Sequence, residues 1–202
     1  MASKVPATAP STRPQATFQA YLVIILGLAA ISMGSIFIRL AQQEHLPSLF
    51  IAAGRLTIAA LILTPFALRS HTDEIRRLQR SDLLLAGISG VFLAIHFATW
   101  VASLEYTSVL ISVVLVNTHP LWVALLEVLL LKARLGRLVI LGLVIGLAGS
   151  IFVALPADGT LAVGNNPLLG SGLAIAGAIA VAIYFAIGRK LRGGLSLLAY
   201  IW

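Results

Sequence analysis

The 202-residue chain contains no cysteine. That excludes disulfides, thiolate metal sites, iron–sulfur clusters and cysteine nucleophiles. Charge is also scarce. Only 10% of residues are charged, 14 basic and 7 acidic. A soluble domain carries about a quarter, because Lys, Arg, Asp and Glu must cover a surface that water wets. So few charges cannot solvate a globule of this size, which excludes both an ordinary soluble enzyme and a disordered chain. Absent too are the glycine-rich Lys-Ser/Thr phosphate loop, the His-Glu-x-x-His zinc motif and the dinucleotide fingerprint, so no cofactor or metal is expected.

Apolar residues are plentiful instead. They make up 59% of the chain, and the mean hydropathy is +1.02. The main solvent expected is lipid. The net charge of +7 would suit nucleic acid only if the basic groups formed one face or stripe. They fall in short clusters between long apolar runs, so no nucleic-acid partner is expected.

A hydrocarbon core of roughly 30 Å takes about 20 helical residues. Six runs fit: 21–41, 47–68, 82–103, 109–131, 138–155 and 168–188. Barrel strands would be half as long and would alternate in polarity. These runs are apolar on every side, so their backbone must bond internally as helix. The fold class predicted is an all-α polytopic transmembrane bundle. Residues 1–16, rich in Ala, Ser, Thr and Pro, read as a disordered N-terminal segment. The run after them exceeds a signal-peptide core of 7–15 residues and reads as an uncleaved span. A seventh apolar run, 195–202, is eight residues long. It predicts a fragment of a longer protein.

Basic residues fall on alternate loops. Lys4 and Arg13, then Arg69, Arg76, Arg77 and Arg80, then Lys132, Arg134 and Arg137, then Arg189, Lys190 and Arg192 make twelve of the fourteen. The intervening loops 42–46, 104–108 and 156–167 hold Glu44, Glu105 and Asp158 and no Lys or Arg. This positive-inside pattern places the N-terminus in the cytoplasm of a cell whose inner membrane the chain spans. The loops are too short for a soluble catalytic domain, so function is expected among the helices.

Shifting the sequence by 150 places Gly27 on Gly177, Ala30 on Ala180 and Arg39 on Arg189. Five spans separate the two copies, so they would face opposite ways. Inverted repeats of this kind build secondary transporters. The stretches SIFIRLA (35–41), AAGRLTIAALIL (52–63), ATWVASLEYTSVLISVVLVNTHPLWVALLEVLLLKARL (98–135) and GLVIGLAGSIFVAL (142–155) together resemble the EamA family of the drug/metabolite transporter superfamily. The resemblance implies one five-helix repeat over 17–155, an external loop at 156–167 and the start of a second, inverted repeat at 168–202. It also implies ten helices in a complete member and export of metabolites. One departure is Ala133, where the family commonly carries a Glu.

Polar residues within the spans are the candidates for function. Arg55 lies roughly 12 Å into the second span, where an Arg costs about 2.5–3.5 kcal/mol to insert. It should face a cavity or bond to neighbouring carbonyls, and an Arg there is usual in the family. Ser32, Ser35 and Arg39 share one face of the first span; a cavity stripe and a snorkelling Arg39 both fit. His96 and Trp100, one turn apart, suit a substrate path with Trp as a stacking wall; an interfacial anchor is the alternative. His96 is the first candidate for a proton-linked step.

Asn117, His119 and Pro120 lie near mid-depth of the fourth span, where Pro120 frees the Val116 carbonyl and predicts a kink beside a cavity. Glu127 lies near the basic end; it suits pairing with a basic neighbour or a coupling-ion site. Ser35, Arg55, His96, Trp100, Asn117, His119 and Pro120 are therefore expected to line one midplane path. Gly142, Gly146 and Gly149, with Gly170, Ala174, Ala178, Ala182 and Ala186, are small residues that let helices approach closely.

Three functions compete for this pattern. The first is secondary transport of a small metabolite, amino acid or drug-like solute, driven by protons or another gradient. The second is a non-transporting remnant or assembly partner, or a homodimer that completes a cavity between copies. The third is an intramembrane protease, because Gly87-Ile88-Ser89-Gly90 has the rhomboid Gly-x-Ser-Gly form. No histidine lies two spans on to serve Ser89 as base, and no enzyme is expected.

Overall fold

The computed structural model describes residues 14–154 and 164–202. Nine helices and no strands occur among the described residues. Helices α1 (Pro14–Gln43), α2 (Ser48–Ser70), α4 (Arg80–Tyr106) and α8 (Pro167–Leu191) are continuous and long enough to cross a bilayer. Between α2 and α4 lies the single-turn α3 (Thr72–Arg76). The fourth apolar run is broken into α5 (Val109–Val116) and α6 (His119–Leu131). Helix α7 (Arg137–Ala154) is an apolar rod of 18 residues, and α9 (Leu197–Ile201) is one turn. The chain is thus an all-α, multi-pass membrane bundle.

The expected disordered segment 1–16 falls mostly outside the described residues, but its last three positions already belong to α1. Most of the expected external loop, 156–163, lies outside them as well.

Side-chain volume organises the bundle. Helix α8 lies along α4 and also meets α5 and α6. Its buried face is Gly170, Ala174, Gly177, Ala178, Val181 and Ala182. Small side chains there let two backbones approach, and dispersion contacts then hold the helices where apolar solvent gives no hydrophobic drive. Around this pair, α2 packs on α4 and α1 leans on α4, α5 and α2. The core is Ile38, Ala52, Trp100, Val101, Leu104 and Val116. Outward faces stay apolar: Val23, Ile31, Phe37, Leu61, Val144 and Phe152 are all more than half exposed. Lipid is the solvent that suits such a surface.

One end of the bundle gathers the 44–47, 105–108 and 164–166 connections, and the other gathers 70–80, 132–136 and 192–196. At the first end α1 closes in a Schellman turn. Leu46 N–H bonds to Ala41 O at 3.2 Å and His45 N–H to Gln42 O at 3.0 Å, with His45 left-handed at φ 62°. Arg39 donates to the carbonyl of Leu104, one of the four acceptors left open at the end of α4. Arg39 is therefore a helix cap. Gln42 Nε2 donates to Val101 O and to Ser48 Oγ, each at 2.8 Å, and Ser48 Oγ donates to Glu105 Oε2 at 2.9 Å. This network ties α1, α2 and α4 together.

Candidate functional site

Counting along the helices from that end puts Gly34, Arg55, Phe97 and Trp100 in one layer, roughly 10–15 Å deep. They converge. The Arg55 guanidinium carbon lies 5.2 Å from the Phe97 ring centre and 5.6 Å from that of Trp100. On α1 the guanidinium borders Gly34, where a Cβ would make an ordinary contact at 3.8 Å. No carboxylate pairs with Arg55 among the described residues. The aromatic faces satisfy part of its charge.

His96 joins the layer from below. Its ring stacks on Trp100 at 5.9 Å with 14° between planes, and meets Phe97 edge-on at 5.0 Å. Nδ1 lies 2.9 Å from Gly177 O. A carbonyl only accepts, so Nδ1 carries the proton and Nε2 remains an open acceptor. Gly177 makes the approach feasible, since a Cβ there would stand 3.0 Å from Thr99 Oγ1 and 3.4 Å from His96 O. Trp100 is buried, and its indole Nε1 has no hydrogen-bond partner. It does not sit at the lipid interface.

The other expected path residues lie elsewhere. The Ser35 hydroxyl is buried and donates back to Ser32 O at 3.3 Å. The break in the fourth run falls at Asn117 and Thr118, ahead of Pro120, which occupies the first turn of α6. Val113 O and Leu115 O still accept from Asn117 N–H and Thr118 N–H, and side chains add to these bonds or, at Val116 O, meet the carbonyl that Pro120 leaves free. Asn117 Nδ2 donates to Val113 O at 2.8 Å, Thr118 Oγ1 to Leu115 O at 2.6 Å, and His119 Nδ1 to Val116 O at 3.3 Å. Asn117, Thr118 and Pro120 line a cavity of about 170 Å³ against Gly142, Gly146 and Ser150 of α7. His119 turns toward Phe185, 5.6 Å between ring centres. The expected single path is thus two sites in this structure: an Arg55–Phe97–Trp100–His96 cluster, and a break-and-cavity region at Asn117–Pro120.

At the opposite end Glu127 forms an ion pair with Arg189 of α8. The pair edges a largely apolar cleft of about 430 Å³ between α4, α6 and α8. A larger cleft, about 780 Å³, opens beside it and is lined by His71, Asp73, Glu74, Arg77, Asp82, Lys190 and Ser196 among others. Within it Glu74 accepts from Ser196 N–H and Oγ, each at 2.7 Å, and His71 Nδ1 lies 3.2 Å from Glu74 Oε2. Those two bonds from Ser196 hold the Glu74 carboxyl below its usual range. Ser196 is also the N-cap of α9, its Oγ accepting from Ala199 N–H. Sequence reasoning missed this cluster, whose members lie more than a hundred positions apart, and missed Phe97. Ser89 bonds to Tyr200 Oη at 2.8 Å, and no histidine is among its partners.

A multi-span helical bundle with a cationic, aromatic-walled layer at membrane depth defines a class, the polytopic α-helical membrane proteins. More specifically, the EamA-like transporter family matches residues 18–155, and the chain belongs to that family. It is 29% identical over 143 residues to a WAT1-related protein of Arabidopsis thaliana. That stretch covers 65% of the chain and 39% of the relative, so the chain spans well under half of the relative's length. No solved structure shows a significant match.

Proposed function

We propose that the protein carries out secondary transport of a small metabolite, amino acid or drug-like solute by alternating access. One observation carries this reading: a guanidinium at membrane depth, stacked on two aromatic rings and otherwise open, with no carboxylate beside it among the described residues. Charge at that depth of a membrane protein is costly and marks solute or ion pathways. Family membership supports the same reading. Residues 17–155 form the first repeat and 168–202 begin the inverted second. Protons or another ion gradient supply the energy, with His96 and Glu127 as the coupling groups. His119 and the Asn117–Pro120 break supply a flexible segment beside the path. The charge bias of the loops supports an N-terminus on the cytoplasmic side of an inner membrane.

The test is solute counterflow in proteoliposomes made with the full gene product. Arg55→Ala and His96→Ala should each lower flux at least tenfold, with folded protein still recovered. Unchanged flux in both variants contradicts the assignment.

A further inference from the structure

The Arg55 layer also identifies the kind of solute, an inference that rests on the transport reading above. A guanidinium has two faces and an edge. The faces suit aromatic rings, and the edge presents five N–H donors in a plane. Here Phe97 and Trp100 take up ring contact at 5.2 and 5.6 Å, and among the described residues nothing accepts from the edge.

The chain's own acids are occupied elsewhere. It has seven. Glu105 is bonded to Ser48 at one end of the bundle, and Glu44 is exposed beyond α1. Glu127 is paired with Arg189, Glu74 with Ser196, and Asp73 and Asp82 line the cleft at the opposite end. Asp158 lies outside the described residues. Among the described residues the layer therefore carries net positive charge, from the outward-open Arg55, beside the buried indole Nε1 of Trp100, a second donor without a partner.

The geometry points to a carboxylate-binding site: Arg55 receives the carboxylate of a small organic anion on its open edge, with Phe97, Trp100 and Gly34 forming the wall behind it. A planar carboxylate matches two parallel N–H donors, and in a low-dielectric layer such charge-assisted bonds are strong. A neutral amide of the same shape offers one weaker acceptor and no charge.

Trp100 makes a local reporter. These 202 residues hold three tryptophans, so Trp122→Phe with Trp202→Phe leaves Trp100 alone among them, and any tryptophan outside them is replaced likewise. Acetate, benzoate and succinate are titrated into the purified full-length protein at fixed ionic strength, each against its own amide. At least one carboxylate is expected to shift Trp100 emission saturably, with its amide at least tenfold weaker. Arg55→Gln is expected to abolish the shift, and Arg55→Lys to restore it in part. Calorimetry on the chain with all three tryptophans repeats the titration without depending on the double replacement. Equal response to acid and amide, no binding of any of the three acids, or acid binding unaffected by Arg55→Gln overturns the proposal. Counterflow separates the two readings. Acid binding through Arg55 with no solute movement keeps the site and sinks transport. Movement confined to neutral or cationic solutes does the reverse.

Discussion

His96 and Gly177 stand 81 positions apart and are joined by a hydrogen bond of 2.9 Å between the imidazole Nδ1 and the glycine carbonyl. The bond crosses the most extensive helix contact among the described residues, α4 against α8. It orients the imidazole stacked on Trp100 and so couples helix packing to the polar layer. A side chain at Gly177 would push the helices apart. Gly177→Val is expected to destabilise the protein by about 1–3 kcal/mol through overpacking, and Gly177→Ala by less. Thermal unfolding in detergent measures both. Equal melting points for wild type and Gly177→Val would show that the contact is not tight.

The Glu127–Arg189 pair joins α6 to α8. The Arg189 side chain is 55% exposed, so screening limits its worth to roughly 0.2–1 kcal/mol. A double-mutant cycle with Glu127→Gln and Arg189→Gln should return a coupling in that range. If Glu127 is instead the coupling group, Glu127→Gln abolishes gradient-driven flux while leaving counterflow intact. The two assays therefore divide structural from coupling roles.

The Glu74–Ser196 link predicts a pH dependence. The folded-state carboxyl is held below its unfolded value, so the link contributes above the ordinary carboxylate range. It is lost as pH falls through the lowered value. The protection factor of the Ser196 amide, its exchange rate corrected for the intrinsic pH dependence, should be high at neutral pH and fall at acid pH. Glu74→Gln should weaken protection at neutral pH and flatten its pH profile. The groups facing Glu74 in the cleft are His71, Asp73, Arg77, Asp82 and Lys190. An unchanged acid profile in Glu74→Gln assigns the effect to one of them.

At the break between α5 and α6, side chains supplement the backbone bonds. Thr118 Oγ1 donates to Leu115 O and accepts from Trp122 Nε1 at 3.2 Å. Thr118→Val removes both, but Leu115 O keeps the Thr118 N–H, so the cost should be about 1 kcal/mol, that of hydrogen bonds lost at a part-buried site. Pro120→Ala should cost less than that, because Pro120 sits in the first turn of α6, where its missing N–H has no helical partner. Melting temperatures of the two variants rank them, and the reverse order would relocate the cause of the break to Pro120.

Much of this architecture is legible in the sequence. Apolar runs located the spans to within a few residues, because a bilayer demands length and uniform hydrophobicity and little else. The small-residue face of α8 announced a close helix contact. The sequence did not reveal what meets what. Pro120 drew attention to itself, yet the chain breaks three residues earlier, since a proline is tolerated in a helix's first turn and the polar Asn117 and Thr118 can cap what the break exposes. Arg39 caps α4 through Leu104 O, a backbone acceptor that no pattern of side chains marks. Phe97 looks like any lipid-facing aromatic until Arg55 is placed beside it. Asn117 and Trp100 lie at similar counted depths but on helices that present them to different clefts. Depth is written in one dimension and azimuth is not.

The native chain lacks cysteine, so single-cysteine variants report without background. Gly34→Cys, whose side chain would lie beside the Arg55 guanidinium, is to be compared with Ile24→Cys on the outward face of α1. Both are challenged with a charged, water-borne thiol reagent in proteoliposomes. A solute path through this layer predicts that position 34 is modified, at a rate that changes when transported solute is added, while position 24 stays inert. Position 34 inert throughout, or both positions modified alike regardless of solute, would contradict a water-accessible path at Arg55.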